Sequence, residues 1–166
     1  MTNLKEQIIA ISKEIGISKI GFTTADNFDY LEKSLRLSQE KGTNSGFEHQ
    51  NIEERIKPKL LLDNAKTIIS IAVAYPNKLP QLPGKSPYKR GKFSSSSWGV
   101  DYHTILTEKL ARLSERIAEL TDDFDHKAMV DTGALVDTAV ARRAGIGFIG
   151  KNGLVISKEY GSHMFL

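Results

Sequence analysis

Apolar positions recur along the chain with periods that assign most of its elements. Leu4, Ile8, Ile11 and Ile15 follow at spacings of four, three and four, one stripe of a helix over residues 3–15 that Gly16 stops. Residues 18–24 (SKIGFTT) read as a short strand. Phe28, Leu31, Leu35 and Gln39 continue a second helical pattern that ends at Gly42, and residues 59–65 predict a short helix after Pro58. Residues 67–75 (TIISIAVAY) are β-branched and almost wholly apolar, the signature of a strand buried on both faces. The clearest helix spans 101–120: Tyr102, Ile105, Leu106, Leu110, Leu113, Ile117 and Leu120 form one face, with Glu108 and Arg112 pairing at i,i+4 on the other. Residues 126–130 predict a strand, 135–144 a helix closed by Gly145, and 146–157 a hairpin. In that hairpin Asn152-Gly153 would supply the positive φ angles of a tight primed turn. Helices alternating with strands predict one layered α/β (α+β) domain over residues 1–166, a mixed sheet flanked by helices.

Composition narrows the function classes. The chain has 166 residues, 40% of them hydrophobic and 26% charged, and this is enough to bury a core without staples. It has no cysteine, so thiol catalysis, a thiolate zinc site and a cysteine-ligated cluster held by this chain are excluded. Its four histidines show no metal-ligand spacing, and no metal site is expected. Twenty-three basic against 20 acidic residues give a net charge of +3, compatible with phosphate-bearing partners without requiring them. No apolar run approaches the ~18 residues of a membrane span, and the start MTNLKEQIIAISKEIG mixes charge with hydrophobes unlike a signal peptide. A cytoplasmic domain without membrane contact is expected.

Four segments could carry chemistry. In Met129-Val-Asp-Thr-Gly-Ala134 an apolar pair leads into Asp131, which would stand where a strand turns into a helix. A carboxyl there can sit in a dry pocket with its pKa raised and hold a proton to donate, or it can simply cap the following helix. Asp-Thr-Gly is also the signature of retroviral-type aspartic proteases, which pair two such loops; their all-β fold conflicts with the helices expected at 101–120 and 135–144. Gly150-Lys-Asn-Gly153 offers close backbone approach to a ligand or a plain hairpin turn; it lacks the spacing of a Walker motif. Arg55 could bind a phosphate or carboxylate in bidentate fashion or join a surface salt-bridge set. Between 76 and 99 four prolines and a serine run mark a long loop. Five positive charges without an acid from Lys78 to Lys92, with Tyr88, Phe93 and Trp98 interleaved, give it either an RNA-contacting composition or a solvated one.

In order, Ile20-Gly-Phe-Thr-Thr-Ala-Asp26, Arg55-Ile-Lys-Pro-Lys-Leu-Leu-Leu62, Ala74-Tyr-Pro76, Trp98-Gly-Val-Asp-Tyr-His103, Met129-Val-Asp-Thr-Gly133, Ala141-Arg-Arg-Ala-Gly-Ile-Gly-Phe148, Gly150-Lys-Asn152 and Glu159-Tyr-Gly-Ser162 resemble the N-terminal domain of the epoxyqueuosine reductases along the whole chain. That resemblance implies a nitroreductase-like cobalamin-binding domain and a reaction in which cobalamin reduces an epoxide on a modified base in the anticodon loop of tRNA. It implies that Asp131 protonates the alkoxide released when cob(I)alamin attacks the epoxide carbon. It places Arg55, Val155, Leu166 and the variable position Ser94 against the cofactor, alongside Asp131. Lys89 and Arg90 are the candidate tRNA contacts. In the family the domain precedes a ferredoxin-like module with two 4Fe–4S clusters and a helical-repeat domain, and the full-length enzymes are expected to be monomers. This chain is therefore expected to be a fragment of such an enzyme, inactive without an external reductant. A non-catalytic cobalamin-binding or carrier module is the alternative.

Overall fold

A computed structural model of the chain describes residues 3–76, 88, 91 and 93–166. The first helix, α1 (Leu4–Glu14), begins where Asn3 caps it. The Asn3 side chain accepts from the Lys5 N–H, and the Glu6 carboxylate accepts from the Asn3 N–H, so two end donors that the helix cannot satisfy itself find partners. Strand β1 (Lys19–Thr24) pairs antiparallel with β2 (Thr67–Ala74) in a register that sets Lys19 opposite Ala72 and Thr24 opposite Thr67. Between these strands run a 3-10 turn at Asp29–Leu31, α2 (Glu32–Glu40), α3 (Ile52–Ile56) and a second 3-10 turn at Pro58–Leu60. The short helix expected over 59–65 is reduced to that turn. The helix that does form lies just upstream, where Asn51 caps a stretch too short to show a period.

After a 3-10 turn at Ser95–Ser97, α4 (Tyr102–Ala118) is capped by the Asp101 carboxylate, which accepts from the His103 N–H. Glu108 and Arg112 form no ion pair among the described residues; Arg116 reaches Glu14 and Glu119 instead. The chain then crosses 121–136 without regular structure and enters α5 (Asp137–Arg143). Two-residue strands β3 (Phe148–Ile149) and β4 (Val155–Ile156) form the expected hairpin, and β5 (Met164–Phe165) pairs with the end of β2. The layered α/β architecture is as expected, but every ladder is antiparallel where a mixed sheet was predicted.

The expectation that β2 is buried on both faces is met, and this organises the core. Ile71 joins Ile8, Ile11 and Ile15 of α1 and Leu106, Leu113 and Ile117 of α4 on one face. Ala72 meets Ala141 of α5, Ile146 and Val155 on the other. A third cluster, of Phe28, Ile52, Ile56, Leu135, Ala139 and Val140, ties α3 to α5. Helix α5 approaches β1 so closely that a Cβ on Gly21 would stand 2.2 Å from the Ala144 carbonyl oxygen. Only glycine fits there.

The strand predicted at 126–130 is absent. That segment faces β2 across a cavity of about 220 Å³ lined by both. Ladder bonds need a strand spacing of ~4.8 Å, which the gap does not allow, so Met129 and Val130 pack without pairing and Ala128 stays exposed. The primed turn also gives way to another. Gly150 accepts from the Gly153 N–H at 3.0 Å, its own N–H reaches the Leu154 carbonyl at 2.8 Å, and of the turn residues only Gly153 (φ +80°) is left-handed. This is a three-residue loop closed by a glycine bulge, so Asn152 need not leave the ordinary region.

Candidate functional site

Asp131 stands at the centre of a γ-turn. The Val130 carbonyl accepts from the Thr132 N–H at 2.5 Å and from Thr132 Oγ1 at 3.2 Å. Asp131 takes φ +53° and is the single non-glycine residue of positive φ among those described. Such a turn is strained, and Asp is among the few side chains that tolerate it. The geometry lifts the carboxylate out of the fold: its side chain is 58% exposed. It caps no helix, because α5 starts at Asp137, and it does not lie in the dry pocket expected for it. The reason is local: without a paired strand behind it, the turn projects outward instead of into a strand–helix crevice.

What holds the carboxylate comes from the start of α4. Tyr102 Oη donates to Asp131 Oδ2 at 2.9 Å, and His103 Nε2 lies 3.2 Å from the same oxygen. The other imidazole nitrogen, Nδ1, is 2.8 Å from Asp101 Oδ1. Burial and the hydrogen bond to Asp131 push the Tyr102 hydroxyl up to about 12, so it stays a donor. The hydrogen bond to Asp101 is the main cause that raises His103 above the ordinary imidazole value, while the His103 N–H and ring hold Asp101 below the usual carboxylate range. The rings are fixed by stacking: Tyr102 lies 4.5 Å from Phe165 at 10° and 4.0 Å from His103 at 29°, and Phe165 in turn packs on Tyr75 at 4.6 Å. Strand β5 thus positions the site through one aromatic ring.

A half-buried, desolvated carboxyl of the kind sequence reasoning sought at 131 is at Asp137. It lines the cavity with Met129, Val130, Leu135, Val140 and Leu166 and takes no hydrogen bond from a described residue. Desolvation first, and the charge of Asp131 second, push it up to about 6. Its sequence signal was an acid set within the apolar run Leu135-Val-Asp-Thr-Ala-Val140.

The other expected ligand-binding residues lie apart. Val155 is buried in the cluster with Ala72, Ala141 and Ile146, whereas Leu166 is half-buried beside it. Around that cluster the hairpin leaves Phe148, Ile149 and Leu154 exposed. Ser94 is exposed and caps the turn at 95–97, its hydroxyl 2.8 Å from Ser96 Oγ. The Arg55 side chain, near the end of α3, makes no hydrogen bond or ion pair with a described residue, whereas its neighbours Glu53 and Glu54 are engaged by Arg36, Lys57 and His49; it belongs to no surface salt-bridge set among the described residues. Gly150–Gly153 is a hairpin turn. Lys89 and Arg90, with most of the basic loop, lie outside the described residues. An exposed carboxylate held by a phenol and an imidazole can exchange a proton at one centre, and the hairpin presents apolar side chains to a ligand. The five helices exclude the all-β protease.

The family Epoxyqueuosine reductase QueG, DUF1730 matches residues 55–132. The epoxyqueuosine reductase of Lactococcus garvieae (strain Lg2) is 58% identical over 166 residues, all of this chain and 47% of that protein. A structure of epoxyqueuosine reductase from Streptococcus thermophilus superposes with a TM-score of 0.94 at 70% identity, covering 99% of this chain and 44% of the other. A crystal structure of epoxyqueuosine reductase with an epoxyqueuosine-modified tRNA-Tyr stem loop gives 0.91 at 49% identity, covering 98% and 43%. The chain spans about half the length of the curated relatives it matches. Among the described residues no helix is long and apolar enough to cross a membrane.

Proposed function

Because the chain belongs to the epoxyqueuosine reductase family, we propose that it forms the part of such an enzyme that binds cobalamin and supplies the proton for reducing epoxyqueuosine to queuosine in tRNA. Cobalamin, when bound, supplies the reducing nucleophile that opens the epoxide. Arg55, Leu166, Ser94 and the backbone of Val155 would hold it, with Asp131 at the reacting face. The reading is supported by the apolar, open hairpin surface and by an arginine whose side chain no described residue engages. With no cysteine in this chain, the electrons would come from two 4Fe–4S clusters carried elsewhere in the full-length protein. That protein would act as a cytoplasmic monomer.

The observation that carries the reading is the carboxyl of Asp131, raised on a strained turn and gripped by Tyr102 and His103. Opening an epoxide leaves charge on oxygen, and an acid poised at that oxygen raises the rate by a factor of ~10²–10⁴. Two groups aimed at one carboxylate oxygen fix its direction before substrate arrives, which is where positioning contributes most. Lys89 and Arg90 would contact the tRNA, as the stem loop bound to the relative suggests for this chain's substrate.

Two measurements test this. Cob(II)alamin titrated into the chain should change its absorption and EPR spectra saturably; unchanged spectra at saturating cobalamin would refute the cofactor site. In the full-length reductase Asp131→Asn should abolish epoxide reduction while cobalamin still binds, and wild-type turnover would leave the chain a cobalamin carrier with no acid of its own.

A further inference from the structure

The reduction asks more of the site than one carboxyl can give. An epoxide becomes an alkene with two electrons and two protons: the first proton goes to the epoxide oxygen as its carbon–oxygen bond opens, and the second to the hydroxyl as it leaves as water. Asp131 holds one proton at a time. It must be reloaded within each turnover.

Resting on the reading of Asp131 as the acid, we infer that His103 is the positioning residue that reloads it, passing a proton from solvent through Nε2 to Asp131 Oδ2. The contacts form a continuous line. Asp101 Oδ1 accepts from the His103 backbone N–H at 2.9 Å and faces the ring Nδ1 at 2.8 Å, so one carboxylate oxygen fixes both the backbone and the ring of His103, with Nδ1 as the ring's donor. This leaves Nε2 to face Asp131 at 3.2 Å. When Nε2 carries a proton, the ring is an imidazolium between two carboxylates. When it gives that proton up, the ring is neutral, still bonded to Asp101, with an open lone pair. The side chain is 41% exposed, so water can restore the proton. The two electrons come from the low-potential reductant of the full-length enzyme; His103 moves protons only.

The surroundings favour the charged ring. Asp101 faces it from the helix cap, Asp131 from the γ-turn, and the Tyr102 ring stacks on it. Phe165 of β5 reaches the group only through Tyr102, and Asp137 acts on Tyr102 from the cavity side. No described cation contacts the imidazole. The main cause that holds His103 protonated above the ordinary value is the hydrogen bond to Asp101. Tyr102, whose hydroxyl is pushed up to about 12, cannot take this role at neutral pH.

The test begins on the chain without cofactor. An NMR titration of the His103 Cε1–H should show a midpoint above the ordinary imidazole value, and Asp101→Asn should lower it. A midpoint at or below the ordinary value in the wild type, or one that Asp101→Asn leaves in place, overturns the inference. In the full-length reductase His103→Ala should lower kcat about 10²-fold, the small end of acid–base effects, with KM for tRNA unchanged. Imidazole in the buffer should restore kcat in proportion to its protonated fraction. Loss of activity without rescue, or wild-type kcat and pH profile, overturns the relay. If Asp131→Asn is inactive while His103→Ala is wild-type, only the relay fails; if Asp131→Asn is itself active, the reading of Asp131 fails first.

Discussion

The half of the molecule built from α1, β1, β2 and α4 differs from the stretch 121–136 in one respect that governs the rest. In the first, helices and a six-residue-pair ladder take up the backbone and the apolar stripes meet one another: Ile11, Ile71, Leu106 and Ile117 are all at most 6% exposed. In the second, the backbone turns on itself, a cavity lies behind it, and the residue at its tip is forced into a left-handed conformation. Stability is concentrated in the former and the candidate carboxylate in the latter. The candidate site sits where the chain has little packing to lose, and its geometry is borrowed from α4 through Tyr102 and His103.

The contrast is broken most severely from the core side. Leu106 is 1% exposed between α1 and β2. Leu106→Ala should destabilise the chain by about 2–5 kcal/mol, whereas Thr132→Ala, which removes only a hydroxyl bond to Val130, should cost about 0.5–1.5 kcal/mol. Urea unfolding of both variants measures this. Equal losses would mean that the γ-turn segment is as firmly packed as the core.

Asp137 gives the next effect, and its sign depends on pH. Its folded pKa of about 6 lies above the unfolded value of 3.8, so the folded state binds the proton more tightly. The associated stability is complete below pH 3.8 and is lost as pH rises through 6. Asp137→Asn keeps the neutral form at all pH values. It should therefore gain stability relative to wild type between pH 4 and pH 8, by at most about 3 kcal/mol for a shift of this size. A pH-independent difference between the two proteins would show that Asp137 is solvated.

The periodic elements were legible because burial imposes a period. The isoleucines of α1, the face of α4 and the unbroken run of β2 each repeat at the spacing their partners require. The apolar run at 128–130 was misread for the converse reason: hydrophobicity marks a segment for burial but does not provide it with an adjacent edge to pair with. Helix α3, IEERI, is too short to show a period, and only Asn51 announced it. Asp131 was legible in Val-Asp-Thr-Gly, yet its exposure was not, since that depends on the missing ladder. Asp137 and His103 went unassigned because their roles arise from residues distant in the chain. For His103 the local sign was Asp101 two residues before it, which both caps the helix and fixes the ring.

The smallest effect separates strain from chemistry at Asp131 itself. Asp131→Gly removes the carboxylate bonded by Tyr102 and His103 but also relieves a left-handed backbone, which costs a side chain roughly 1–2 kcal/mol. Glycine adds back ~0.5–1 kcal/mol of unfolded-state entropy. These contributions nearly cancel, so stability should stay within about 1 kcal/mol of wild type. Asp131→Ala loses the same bonds and keeps the strain, and should fall about 1 kcal/mol below the glycine variant. Denaturation midpoints of the pair read this difference directly. Glycine above alanine means that the turn stores strain in order to present the acid; equal midpoints mean that residue 131 relaxes to negative φ once its carboxylate is gone, and that Tyr102 and His103, not the turn, hold it in place.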